Sequence, residues 1–183
     1  MTLKTTPSAR PIETARLVLR EIRADDGAFL SELGRDPAFM EQCTDQLQHA
    51  EAVQDYLRWA VAIRASRGFG AYVVEGRAMG SPMGLCTLEW HRVLALEHIG
   101  FTILERFRGR GYALEAASAL LEAFWSRGAR EVAGLARPGN AASRALLAKL
   151  GLRFQRIRSL SGQTLAVYHL ERPAGRPSAA PWL

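Results

Sequence analysis

The strongest restriction on how this chain can fold is a change of period near its middle. In "EHIGFTIL" (97–104), Glu97, Ile99, Phe101 and Ile103 alternate with His98, Gly100, Thr102 and Leu104, the two-residue repeat of a strand. From Gly111 the repeat becomes 3.6. Ala113, Leu114, Ala117, Leu120, Leu121 and Phe124 share one face, and Glu115, Ser118, Glu122 and Ser126 share the other, which predicts a helix over 111–125. "EVAGLA" (131–136) then reads as a buried strand. Strand, helix, strand in that order requires a parallel crossover.

Upstream, "AYVVE" (71–75) and "MGLCTLEW" (83–90) are separated from each other and from 97–104 by breaks short enough for hairpins, so the middle of the sheet is antiparallel. "RLVLREI" from Arg16 reads as a first strand. Asp25 or Asp26 is placed to cap a short helix carrying Phe29, Leu30 and Leu33, and a second helix over 49–66 places Val53, Leu57, Ala60 and Val61 on one side. "AASRALLAKLG" is a helix stopped by Gly151, followed by a closing pair of strands, "RFQRIRSL" and "TLAVYHLE". The expectation is an α/β fold with a single mixed, mostly antiparallel sheet of about seven strands and helices on both faces. At 183 residues one domain accounts for the chain. Residues 14–171 form it, and the Pro-, Ser-, Thr- and Ala-rich ends, 1–13 and 172–183, read as flexible segments.

No apolar run approaches the roughly 18–20 residues of a membrane span, and the N-terminus lacks the apolar stretch of a secretory signal, so the expected location is the cytoplasm. Cys43 and Cys86 match no metal or redox spacing and read as buried reduced thiols, and the four histidines form no ligand pair, so no metal is expected. A net charge of +6 suits an anionic partner without naming it.

The charge has a focus in "ERFRGRGYALEA" (105–116). Arg106, Arg108 and Arg110 are interleaved with Gly109 and Gly111 where a strand gives way to a helix. A helix start presents unpaired N–H groups and partial positive charge, and glycine lets a ligand approach the backbone, so the segment is suited to a phosphate. A solvated basic turn is the alternative. A dinucleotide fingerprint fails because Leu114 stands where its third glycine belongs, and a P-loop fails for want of Gly-Lys-Ser/Thr.

Arg106-x-x-Gly109-x-Gly111 resembles the GNAT acetyltransferases, in which Gln/Arg-x-x-Gly-x-Gly/Ala follows the fourth strand and its amides hold the pyrophosphate of acetyl-coenzyme A. "TARLVLR" with Asp25-Asp26, "IGF…RGRGYALEA" and "NAASRALLAKLGLRF" resemble the Rim-type branch, which acetylates ribosomal protein N-termini. The resemblance spans about residues 14 to 171. It implies the GNAT fold, acetyl-coenzyme A as cosubstrate and a primary amine as acceptor, either a protein N-terminus or a small molecule. It also implies a cofactor set of Ile103, Leu104, Arg106, Arg108, Gly109, Arg110, Gly111, Tyr112, Ala113, Asn140 and Ser143. A homodimer is compatible with it. Nucleic acid is disfavoured as a partner, and a GNAT-shaped protein that binds coenzyme A or nucleic acid without turnover is the rival reading.

Two departures touch the chemistry. Rim-type sequences usually have Glu directly before Ile-Gly-Tyr; here His98 precedes Ile99-Gly100-Phe101 and the acid is Glu97. His98 is the expected acceptor or relay of the amine proton, with a histidine hydrogen-bonded for structure as the competing explanation and Glu97 second if a bulge reverses the strand's parity. Many members place a tyrosine seven residues after the asparagine; here that residue is Leu147, and the resemblance offers Ser143 as a hydroxyl near the sulfur, with helix capping as the competing explanation for both Ser143 and Asn140. Trp90, His91, Arg92, Phe69 and Tyr72 are candidates for the acceptor pocket, with core packing as the competing explanation.

Overall fold

The computed structural model describes residues 10–40, 47, 49–160 and 162–174. One mixed sheet runs through it in the order β1-β2-β3-β4-β5-β6-β8-β7. The strands are Ile12–Glu13 (β1), Leu17–Glu21 (β2), Ala71–Gly76 (β3), Pro82–His91 (β4), Leu96–Ile103 (β5), Glu131–Ala136 (β6), Arg153–Leu160 (β7) and Gln163–Glu171 (β8). The β5–β6 pair is parallel, and the other neighbours are antiparallel. Among the described residues there are eight strands rather than about seven: β1 lies inside the segment set aside as an end, pairs with β2, and brings Ile12 against the core.

Helices cover both faces. Tyr112–Ser126 (α4) and Ala141–Lys149 (α5) pack on one, around Leu17, Leu19, Ile99, Leu120, Phe124 and Leu147. Gly27–Leu33 (α1), Pro37–Met40 (α2) and Ala50–Arg67 (α3) accompany the other, around Leu30, Leu33, Val53, Leu57, Val73 and Leu85. Alternate residues of β3 and β4 serve opposite cores, so both strands read as nearly continuous apolar runs. On α3, Val53, Leu57 and Ala60 are buried as expected, whereas Val61 lies further round the helix and is 46% exposed. Among the described residues no helix is long and apolar enough to cross a membrane. Cys86 is buried, which pushes its thiol pKa well up; Cys43 lies outside the described residues.

Two polar clamps fix the start of the domain. Asp26 caps the 3-10 turn Ala24–Asp26 by accepting the Arg23 N–H at 2.7 Å, and it also binds Arg20 at 2.6 and 2.8 Å. Arg20 reaches Glu75 at 2.7 Å as well, and these partners hold its guanidinium firmly protonated. Glu115, in the first turn of α4, accepts from the Thr14 hydroxyl at 2.6 Å and from Arg16 Nε at 2.6 Å. Burial pushes the Glu115 pKa up, but these bonds outweigh it and hold the carboxyl below its usual range. The "TAR" connection between β1 and β2 thus ties the N-terminus of α4 to the sheet.

The opening in the sheet comes from β5. It stays paired with β4 from Leu96 to Ile103, but pairs with β6 only at His98 with Ala133 and Ile99 with Gly134. Beyond Ile99 the two strands part.

Candidate active site

A cleft of about 860 Å³ occupies this parting. Its floor is the β4–β5 face bearing Thr87, Glu89, His98, Gly100 and Thr102. The end of β6, the start of α5 and Gln163 and Leu165 of β8 form one side, and Asp55, Tyr56 and Trp59 of α3 form the other. The thinner face of β5 is therefore the cleft wall, as its parity implied. A Cβ at Gly100 would stand 2.5 Å from the Thr87 hydroxyl, so a larger residue there must turn that hydroxyl away.

Alternation also sets the direction of the β5 main chain. Leu104 N–H donates to Met83 on β4 at 2.9 Å, so the odd-numbered residues, Phe101 and Ile103, turn their main-chain groups to the parted edge. At Ile103 the carbonyl on that edge already accepts from Arg108 Nε at 2.8 Å, which leaves its N–H. Leu104 requires a correction. Its side chain is buried, its N–H is held by β4, and its carbonyl accepts from Phe107 at 2.9 Å, so nothing of it is available to a ligand.

The Arg-Gly loop has the conformation its glycines permit. Gly109 and Gly111 have φ of 75° and 79°, left-handed values that cost most residues about 1–2 kcal/mol. Gly111 is the N-cap of α4. No acceptor among the described residues takes the main-chain N–H of Gly109, Arg110, Gly111, Tyr112, Ala113 or Leu114, and for the last three this is the open end of the helix.

The arginines have separate tasks, contrary to a simple positive cluster. Arg106 pairs with Glu32 and lies over the Phe107 ring, and Arg108 binds Asp36 at 2.5 Å. Asp36 is 7% exposed and also accepts the Glu105 N–H at 3.2 Å, so it anchors the loop's entry to the α1–α2 corner. Arg110 is exposed, and its carbonyl accepts from Arg16 at 3.0 Å. Arg16 also stacks on Tyr112 at 4.7 Å, an additional cation beside the loop that periodicity could not reveal.

His98 lies in the cleft. Its Nδ1 is 2.9 Å from the main-chain oxygen of Glu89; because a carbonyl only accepts, Nδ1 carries the hydrogen and Nε2 keeps a lone pair. Burial lowers its pKa to about 4, with a smaller contribution from His91, whose ring is 5.6 Å away. As pH falls below the ordinary value of 6.5, the unfolded chain gains this proton and the folded chain does not, so stability is complete above 6.5 and is lost between 6.5 and about 4. Urea titrations at neutral pH and near pH 4.5 should show a stability loss smaller in His98→Gln than in the parent, by about 2 kcal/mol at roughly 1.4 kcal/mol per pKa unit.

The β4–β5 register runs without a bulge from Gly84 to His91, so the condition under which Glu97 would face the cleft is not met, and it lies on the opposite face. Glu89, directly across from His98, is the carboxylate of this strand pair that lines the cleft. Periodicity missed it. The alternation Leu85, Thr87, Glu89 was the available signal, but both faces of β4 are covered and nothing local distinguishes the open one.

Asn140 is the N-cap of α5, its Oδ1 accepting the Ser143 N–H at 2.9 Å, and both residues line the cleft. The Ser143 hydroxyl has no partner among the described residues. Leu147 is fully buried and packs against Gly134, and it has no polar group to offer a sulfur in the cleft. Of the aromatic candidates, Phe69 and Tyr72 belong to the α4-side core and Trp90 stacks on Arg67; none of these, nor His91 or Arg92, lines the cleft.

The model of the acetyltransferase (GNAT) domain family matches residues 16–153. The chain is 31% identical over 164 residues to the FsC-acetyl coenzyme A-N(2)-transacetylase of Aspergillus fumigatus, covering 83% of this chain and 67% of that one. An acetyltransferase structure from Agrobacterium tumefaciens superposes with a TM-score of 0.78 at 21% identity, over 94% of this chain and 100% of the other. The RimL ribosomal L7/L12 alpha-N-protein acetyltransferase in complex with coenzyme A superposes with a TM-score of 0.75 at 19% identity, over 88% and 98%. With a helix-start cradle beside a sheet parted between parallel neighbours, and a family match across most of its length, the chain belongs to the GNAT acetyltransferases, whose reaction is acetyl transfer from acetyl-coenzyme A.

Proposed function

We propose that the protein transfers the acetyl group of acetyl-coenzyme A directly to a primary amine held in the cleft. The observation that carries this reading is that β5 links three parts in order: His98 facing Glu89 in the cleft, an edge released beyond Ile99, and the turn that follows the strand, whose amides from Gly109 to Leu114 have no acceptor among the described residues. The amides at the start of α4 suit a diphosphate. Phe101 and Ile103 offer main-chain groups to the pantetheine arm and the thioester oxygen, with Asn140 on the facing wall.

Glu89 receives the acceptor as an ammonium ion and takes the proton that the amine must lose to attack. His98, neutral at working pH, cannot attract a cation; its Nε2 lone pair serves as a second acceptor in the relay. The Ser143 hydroxyl donates to the departing thiolate. Glu89 places a carboxylate on the cleft floor in a chain of net charge +6, and this also supports an amine; Asp55, at the rim, is paired with Arg58. These groups favour turnover over passive binding of coenzyme A.

Release of free thiol from acetyl-coenzyme A over a panel of amines, including peptides beginning with Ala or Ser, tests the proposal. Amine-dependent release supports it. Coenzyme A binding with no release on any amine would leave only a binding protein.

A further inference from the structure

The strand β7 forms one edge of the sheet, and all its residues except Leu160 are exposed. In its pairing with β8, Arg153 stands opposite His169, Arg156 opposite Val167 and Arg158 opposite Leu165, with a bulge between Phe154 and Arg156. Residues 165, 167 and 169 point to one face, so the bulge brings all three arginines onto that face; without it Arg153 would point the other way. Phe154 and Ile157 stand opposite Tyr168 and Ala166 on the α5 side. No carboxylate among the described residues pairs with any of the three arginines.

Leu165 and Gln163 line the cleft, so the arginine face continues into it. The charge of Arg158 is felt at His91, whose pKa is lowered first by burial and further by Arg158, and His91 stands beside His98. Same-face residues of a strand recur at about 6.6 Å, and any extended polypeptide repeats its side chains at the same interval. Acids at alternate positions of such a segment would meet the guanidiniums in step.

We propose that Arg153, Arg156 and Arg158 form a docking surface for an acidic, extended polypeptide whose terminal amine enters the cleft. The proposal rests on the acetyl-transfer reading for the fate of that amine, but not for the docking itself. A single-stranded nucleic acid would match the charge, but such strands are held by stacking on aromatic rings, and the hairpin's exposed aromatic, Phe154, lies on the opposite face.

Fluorescence anisotropy of peptides beginning with Ser, carrying Glu, Gln or Lys at alternate positions and a neutral dye at the far end, tests the surface without relying on turnover. The full chain should bind the Glu peptide about tenfold more tightly than the Gln peptide at low salt. That preference should vanish at about 300 mM salt and in the Arg153→Ser/Arg156→Ser/Arg158→Ser variant. The same variant should acetylate a small monoamine at the parent rate. Equal affinity for the Glu and Gln peptides, an unaltered preference in the variant, or tighter binding of an oligonucleotide of equal charge would each overturn the proposal. Docking as expected with no acetylation of any amine would leave the surface standing and refute the acetyl-transfer reading.

Discussion

Replacing Gly109 and Gly111 together by valine is expected to weaken coenzyme A binding about a hundredfold, with the fold intact. Each position holds a left-handed φ, and a β-branched residue there costs at least about 1–2 kcal/mol. Two such costs, at roughly 1.4 kcal/mol per tenfold, are relieved only if the turn leaves the conformation that presents its amides. The core is not disturbed, because a Cβ at Gly109 meets nothing within 4 Å and one at Gly111 meets only Arg16 at 3.5 Å. Asparagine tolerates the left-handed region, so the paired Asn variant should keep most of the affinity. Calorimetric titration of the three proteins separates conformation from bulk. Valine and asparagine variants that bind alike would remove the cradle from the account.

Glu89→Gln should lower kcat by about a hundredfold to a thousandfold, the usual range for losing a positioned proton acceptor, with little change in coenzyme A affinity. Glutamine keeps the shape and loses both the charge that draws in an ammonium ion and the basicity that accepts its proton. His98→Gln should cost about tenfold, since it removes only the second acceptor. With the His98 pKa near 4, the parent's pH–rate profile should show no limb at 6.5 from this residue. Steady-state rates of the two variants across pH would check both expectations, and an undiminished kcat in Glu89→Gln would transfer the role to another group.

Much of the architecture was legible because period and punctuation agreed. The change of period at Gly111 specified a strand, a turn and a helix, and the structure has them at Leu96–Ile103, 104–111 and Tyr112–Ser126. The parallel crossover followed from element order, and parity gave the open face of β5. What alternation could not give was which strand edge is free and which distant residue completes a contact. The main chain of Leu104 is occupied by β4 and by Phe107, a matter of hydrogen-bond direction that side-chain pattern does not carry. Arg106 and Arg108 looked like one anion site, yet each meets a carboxylate more than seventy residues earlier, 74 and 72 positions away. Glu89 was hidden because "MGLCTLEW" is covered on both faces. In β7 the bulge reverses the phase of Arg153, so the arginine row exists only in the paired hairpin.

The most direct measurement is a crystal structure of the chain with coenzyme A. The diphosphate is expected within hydrogen-bonding distance of the amides between Gly109 and Leu114, and the pantetheine arm against Phe101 and Ile103 with its sulfur near Ser143. A diphosphate seated elsewhere, on the Arg153–Arg158 row for example, with the β5–β6 parting empty, would contradict it.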